Sequence, residues 1–192
     1  MKKIIIVFMA VMLTVFSLVS CGGKPEDTDV LTAFTELYNK SISVNEYVFG
    51  KGLPYDNPES YDIENLDSPH YVAVSESSPY KSIAELEAAI LEVYSRSYYE
   101  GSLKQGLFDG YPGDDKNKPR YVEEKGVLKI DITKPNLMTV PGTFDTSSAR
   151  IKSSSYSEAV IKALWTSGET SKEYELVMVF DGSAWRMDSP TY

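Results

Sequence analysis

The sequence predicts an α+β fold in which N-terminal helices pack on a curved antiparallel sheet. Three observations carry this. Amphipathic segments at helical spacing are confined to the first 110 residues. Alternating apolar and polar residues dominate everything after Tyr121. The turns between those alternating runs are short and glycine-containing, as antiparallel hairpins require.

The chain opens with Met1, Lys2 and Lys3, followed by an apolar run from Ile4 to Val19 broken only by Thr14 and Ser17. This run suits the hydrophobic region of a secretion signal and is short for a spanning helix, which needs roughly 20 apolar residues. It ends in Leu18-Val19-Ser20-Cys21. That ending resembles the lipobox of bacterial lipoproteins: an aliphatic residue, a variable one, a small one, then cysteine. The resemblance implies that residues 1–20 are removed and that the thiol of Cys21 carries a fatty-acylated glyceryl group. The protein is then expected on the outer side of the cell membrane, with the lipid as its membrane contact. Residues 21–27 form a polar tether, and residues 28–192 are expected to be one domain of ordinary size.

Removing residues 1–20 takes two of the 19 basic residues and none of the 28 acidic ones, leaving a net charge of −11. A surface of that sign argues against nucleic acid and against electrostatic binding to anionic lipid. Cys21 is the single cysteine and His70 the single histidine, so neither a disulfide framework nor a transition-metal site is expected. No cofactor is implied.

Val30, Ala33, Phe34, Leu37 and Tyr38 recur at helical spacing, so a first helix, capped by Asp27 or Thr28, is predicted to run to about Lys40. Residues 50–69 are rich in glycine, proline and turn formers and read as a long irregular connection. Residues 70–75 alternate as a short strand. Two capping boxes follow, Ser82-Ile83-Ala84-Glu85 and Ser97-Tyr98-Tyr99-Glu100, each predicting a helix start. Phe108-Asp109-Gly110 ends the second of these helices. Beyond it, Tyr121–Glu124 and Val127–Ile132 flank a turn at Lys125-Gly126. Ser157–Thr166 presents Ala159, Ile161, Ala163 and Trp165 on one side. Tyr174, Leu176, Met178 and Phe180 alternate, Asp181-Gly182 turns the chain, and Trp185 and Met187 continue the inward face. Ser153-Ser154-Ser155 reads as a loop or a sheet edge.

The order of these segments resembles a known layout. The run from Ser82 to Ser95, a second short helix, the strand Tyr121 to Ile130 and the closing hairpin Tyr174 to Met187 are similar to the DL-endopeptidase inhibitor family of Gram-positive envelopes. More broadly they resemble the cystatin-like, or nuclear-transport-factor-like, roll. The resemblance implies a protein that binds a cell-wall hydrolase of the cysteine-peptidase type and occludes its cleft. In that family an acidic loop is thought to enter the partner. The nearest counterpart is the segment 109–117, with Asp109, Tyr111, Asp114 and Asp115 as candidate contact residues.

Read from the residues, this segment joins three aspartates to an aromatic on a turn built from Gly110, Pro112 and Gly113, which suits either a projecting contact loop or a solvated turn. Catalysis is not expected. His70 has no nucleophile motif to serve, and Glu123, Glu124 and Asp131 are explained by alternating strand faces. A small-ligand-binding roll with an internal pocket is the alternative to the protein-binding reading. An open pocket lined by tyrosines and one buried carboxylate would favour it; a filled interior beside a projecting acidic loop would favour the protein-binding module.

Overall fold

The computed structural model describes residues 24–114, 117–138 and 142–192. Residues 18–21, which resemble a lipobox, lie outside the described residues, as do Asp115 and Lys116 of the acidic segment.

The chain is α+β. Helix α1 spans Asp27–Val48, α2 Ile83–Val93 and the short α3 Arg96–Tyr98, which continues into two π-helical segments, Tyr99–Leu103 and Gln105–Asp109. The strands are β1 Tyr71–Ala73, β2 Tyr121–Glu124, β3 Val127–Asp131, β4 Thr143–Ser154, β5 Glu158–Ser167, β6 Thr170–Phe180 and β7 Trp185–Met187. They divide into two antiparallel sheets, ordered β1-β3-β2 and β4-β5-β6-β7. The larger sheet curves because β4 slips register against β5 between Asp145 and Arg150 and again between Ile151 and Ser153. Each extra residue bends and twists a strand.

Helix α1 is two turns longer than its apolar spacing predicts. The buried stripe does continue past Lys40, as Ser41, Val44, Asn45 and Val48. Two of those four are polar, and they are buried because they hydrogen-bond one another's partners. Asn45 Nδ2 donates to Thr191 Oγ1 at 2.9 Å, and Thr191 Oγ1 donates to Ser41 Oγ at 2.8 Å. A pattern search for apolar residues stops where such a network starts. Neither Asp27 nor Thr28 caps the helix; the cap position is Glu26, whose side chain makes no capping bond.

The first capping box is present with one shift. Ser82 Oγ accepts the Glu85 N–H at 3.2 Å, but the Glu85 carboxylate accepts from Lys81 N rather than from Ser82 N. The amide of Ile83 is taken by Glu123 of β2, at 3.1 Å. The second box is corrected: the cap is Ser95, whose hydroxyl accepts the Tyr98 N–H at 2.9 Å, and not Ser97. Ser95 is fixed there because its amide donates to the Met187 carbonyl and its hydroxyl to Asp188. The long-range tie to β7 decides between two serines that are locally equivalent.

The core lies between α1, α2 and the larger sheet. Phe34, Leu86, Ile90, Ile161, Leu176 and Met178 are all fully buried there. The closing strands alternate as predicted only in part. Leu176, Met178 and Met187 are buried, whereas Tyr174 and Phe180 are about two-fifths exposed, at 40% and 39%, and Trp185 is half-buried. The sheet outruns the helices that cover it, so the ends of an inward-facing row reach solvent.

β4 has no counterpart among the predicted strands. It is an edge strand bearing Asp145, Ser147, Ser148, Arg150 and Lys152, with few apolar residues to mark it. Charges and bulges of this kind blunt an edge against unwanted pairing. Ser153 and Ser154 lie in it and Ser155 follows it, so the serine run is the end of an edge.

Candidate functional site

Asn117, the last residue of the segment 109–117, lies by the C-terminal end of α1, lining a cleft with Val48 and Phe49. The chain reaches this segment through the π-helical segments, in which Gly101 and Gly106 have open space at the Cβ position. π-Helical geometry widens a helix and recurs at functional sites. It ends at Gly110, whose φ of 69° is natural only for glycine and whose amide donates back to the Gln105 carbonyl at 2.7 Å.

The segment then closes on itself. The Tyr111 amide donates to the Asn117 carbonyl at 3.2 Å, and the Asp114 amide to the Tyr111 carbonyl at 3.1 Å. Asp114 accepts both from the Asn117 amide, at 3.2 Å, and from Asn117 Nδ2, at 2.5 Å. Asp109 pairs with Lys104 at 3.6 Å. Of the three aspartates, then, Asp109 meets a lysine and Asp114 braces the turn. Tyr111 is half exposed, at 50%, and its backbone is hydrogen-bonded to Asn117 and Asp114.

Asn117 also lines a cleft of about 290 Å³ with Val48, Phe49, Leu103, Leu107 and Leu137. Arg120 forms part of its wall, and Leu137 is 57% exposed beside it. The Leu137 amide donates to the Phe49 carbonyl at 2.7 Å, which pins the far wall of the cleft to the end of α1. The cleft is largely apolar, and Tyr111 and Leu137 place exposed apolar surface near it. An arrangement of this kind can seat a partner's side chain, with Ser102 and Lys134 as further polar groups in its lining.

The chain enters this region through a close approach. Gly52, at φ 89°, passes over β3 so tightly that a Cβ there would lie 2.3 Å from Ile130 Cδ1. Glycine is therefore required for the connection to reach Leu53, whose amide donates to Tyr121 Oη at 3.0 Å. Tyr121 Oη donates onward to the Tyr47 carbonyl. Burial pushes the Tyr121 phenol up to about 12, against the opposing pull of the Arg120 charge.

The other sequence candidates make structural bonds, although Asp131 Oδ2 is buried without a hydrogen-bond partner. The His70 amide donates to Asp131 Oδ1 at 2.9 Å, and its ring meets Tyr61 edge-on. Asp131 is buried, and the same Oδ1 accepts from the Thr133 amide and hydroxyl. Glu123 caps α2, and Glu124 pairs with Lys129 at 2.6 Å. Among the described residues no group of three or more histidine, cysteine, aspartate or glutamate side chains is placed to hold a metal ion. No helix of the described residues is long and apolar enough to cross a membrane.

The sequence reading missed Arg120 and Leu137, because neither belongs to a periodic run. No model of a known family matches the chain, and no curated protein matches it.

Proposed function

We propose that this protein is an extracytoplasmic lipoprotein, held at the membrane by lipid on Cys21, that presents residues 109–117 to a protein partner. The partner in this reading is a cysteine peptidase that cuts peptidoglycan stem peptides, and binding restrains it. One observation carries the proposal. The half-exposed Tyr111 sits on a hydrogen-bonded loop whose last residue, Asn117, lies by the C-terminal end of α1. The tether enters at the other end of that helix, and 22 helical residues span about 33 Å. Asn117, and Tyr111 bonded to it, therefore lie near the end of α1 opposite the anchor, where a wall-associated partner would be met.

A preformed loop binds at lower entropic cost than a flexible one. Its tyrosine supplies apolar area that a solvated turn does not need, and the packed interior leaves the surface as the place to bind. The structural bonds of His70, Glu123 and Glu124 support binding rather than catalysis. The internal-pocket alternative is less well supported, because the space between sheet and helices is filled by side chains such as Phe34, Ile90 and Ile161.

The test has two stages. Cys21→Ala should abolish metabolic labelling with fatty acid; equal label on both proteins would remove the anchor. Purified wall-cutting peptidase should digest wall more slowly with the protein than without it. Equal digestion rates would overturn the inhibitor reading. If the peptidase is slowed, Tyr111→Ala should speed dissociation, and joint replacement of Asp114 and Asp115 by Asn should slow association, more so at low salt.

A further inference from the structure

We infer that the end of the larger sheet nearest the tether is a lipid-facing surface, in which Tyr156, Phe180 and Trp185 rest in the headgroup region of the bilayer. This rests on the proposed lipid anchor at Cys21 and adds to it a fixed orientation.

The geometry runs as one chain of contacts. Ser154 Oγ donates to Asp27 Oδ1 at 3.4 Å, so the first residue of α1 meets the end of β4. The β4–β5 turn follows immediately and carries Tyr156, which is 64% exposed, the highest value of any large apolar or aromatic side chain described. The Phe180 amide donates to the Ser157 carbonyl at 2.9 Å, which sets the end of β6 beside that turn. The rings of Phe180 and Trp185 then meet edge-on at 5.7 Å. Three aromatics thus gather at the end where the chain arrives from the tether. Trp and Tyr favour the membrane–water interface, since each has an apolar ring and a polar atom.

Chain length limits where that end can be. Six peptide units join Cys21 to Asp27, a reach of at most about 20 Å. A compact domain of this size has a radius of gyration of about 15 Å, so its width exceeds the reach of the tether. An anchored domain on so short a leash keeps its tethered end at the membrane. Aromatic side chains left exposed at that end have lipid as their nearest apolar phase. The charges nearby are mainly acidic: Asp27, which pairs with Lys24, together with Asp29 and Asp181, which pairs with Arg186. Anionic lipid is therefore not attracted here; the contact is apolar and insensitive to salt.

The two tryptophans provide the test. Trp165 pairs with Lys172 of β6, whereas Trp185 pairs with Phe180. Eight residues of one strand separate the two sites, roughly 26 Å. The lipidated full chain, as Trp165→Phe and separately as Trp185→Phe, is reconstituted into vesicles of phosphatidylcholine brominated on its acyl chains. Bromine quenches at short range. The protein retaining Trp185 should lose at least about half of its emission relative to unbrominated vesicles, while the protein retaining Trp165 loses almost none. Replacing Tyr156 and Phe180 together by Ser should relieve the quenching of Trp185.

A second reading needs no change of a packed residue. Acylation consumes the native thiol, so Ser157→Cys and Ser171→Cys each offer one thiol for an environment-sensitive dye, and only the first should report an apolar surrounding. If the protein floats with vesicles and both ends report water, the orientation is wrong and the anchor stands. If it does not float and takes up no fatty acid, the anchor fails and the orientation fails with it.

Discussion

Arg120 donates from Nη2 to the carbonyl oxygen of Gly50 at 2.6 Å, across 70 residues of chain, while its Nη1 donates to the Val48 carbonyl at 3.1 Å. α1 has no basic residue in its last turn, so this guanidinium supplies the cation that the negative end of the helix lacks. It is 5% exposed. Arg120→Met should therefore cost about 3 kcal/mol: two charge-assisted bonds are lost and two buried carbonyls stranded, partly offset by the desolvation no longer incurred. Arg120→Lys should recover only part, since a single ammonium does not reproduce the fork. Urea unfolding decides this, and a midpoint equal to wild type for Arg120→Met would refute the capping role.

The C-terminus is tied down by hydroxyls. Tyr94 Oη donates to Asn45 Oδ1 at 2.5 Å and lies 2.8 Å from Thr191 Oγ1, which also meets Asn45 and Ser41. Burial raises the Tyr94 phenol far above its usual range. Thr191→Val and Tyr94→Phe should each destabilise by about 1–2 kcal/mol, and the double variant by less than the sum, with a coupling of about 1 kcal/mol. Strict additivity in a denaturant double-mutant cycle would mean that the hydroxyls act independently.

These two clusters show where the sequence stops being readable. Ser82, the Lys125-Gly126 turn and the row Leu128, Ile130, Ile132 are recognisable because cap, turn and alternation are local rules. Arg120, Asn45, Thr191 and Ser95 are set by partners tens of residues away, and nothing in their neighbours marks them. β4 is hidden for a different reason: an edge strand carries charge and serine where a central strand carries valine. Part of the candidate site was legible, as the composition of 109–117. Its bracing by Asn117 and its place beside a cleft depend on tertiary geometry.

Asp181 holds the last hairpin turn. Its Oδ1 accepts from the amides of Ser183 and Ala184, both at 2.9 Å, and from the Ser183 hydroxyl at 2.7 Å. Those bonds hold its carboxyl down at about 2. The folded value is depressed, so the contribution is complete well above the unfolded value of about 3.9 and disappears as pH falls toward 2. For a group this exposed, solvent screening holds that contribution to about 1 kcal/mol. The gap in stability between wild type and Asp181→Asn should close as pH is lowered from 5 to about 2. A gap independent of pH would show that geometry, not charge, sets the turn.

The shape of the 109–117 loop is separable from its contacts. Asp114 touches Asn117 twice, through the amide and through Nδ2, and those two bonds close the turn on which Tyr111 stands. Asp114→Ala removes both while leaving Tyr111 in place. Because the loop buries little, global stability should shift by no more than about 0.5 kcal/mol. The Asn117 amide, however, should exchange with solvent about tenfold faster, since a local opening then costs about 1.4 kcal/mol less. Hydrogen exchange followed by NMR reads this without any partner. If a partner recognises the preformed loop, the same substitution should weaken binding by a similar factor, because ordering the loop is then charged to the binding step. Unchanged protection at Asn117 would show that Asp114 does not brace the loop. Faster exchange with unchanged affinity would show that the loop's fixed shape is not what the partner reads.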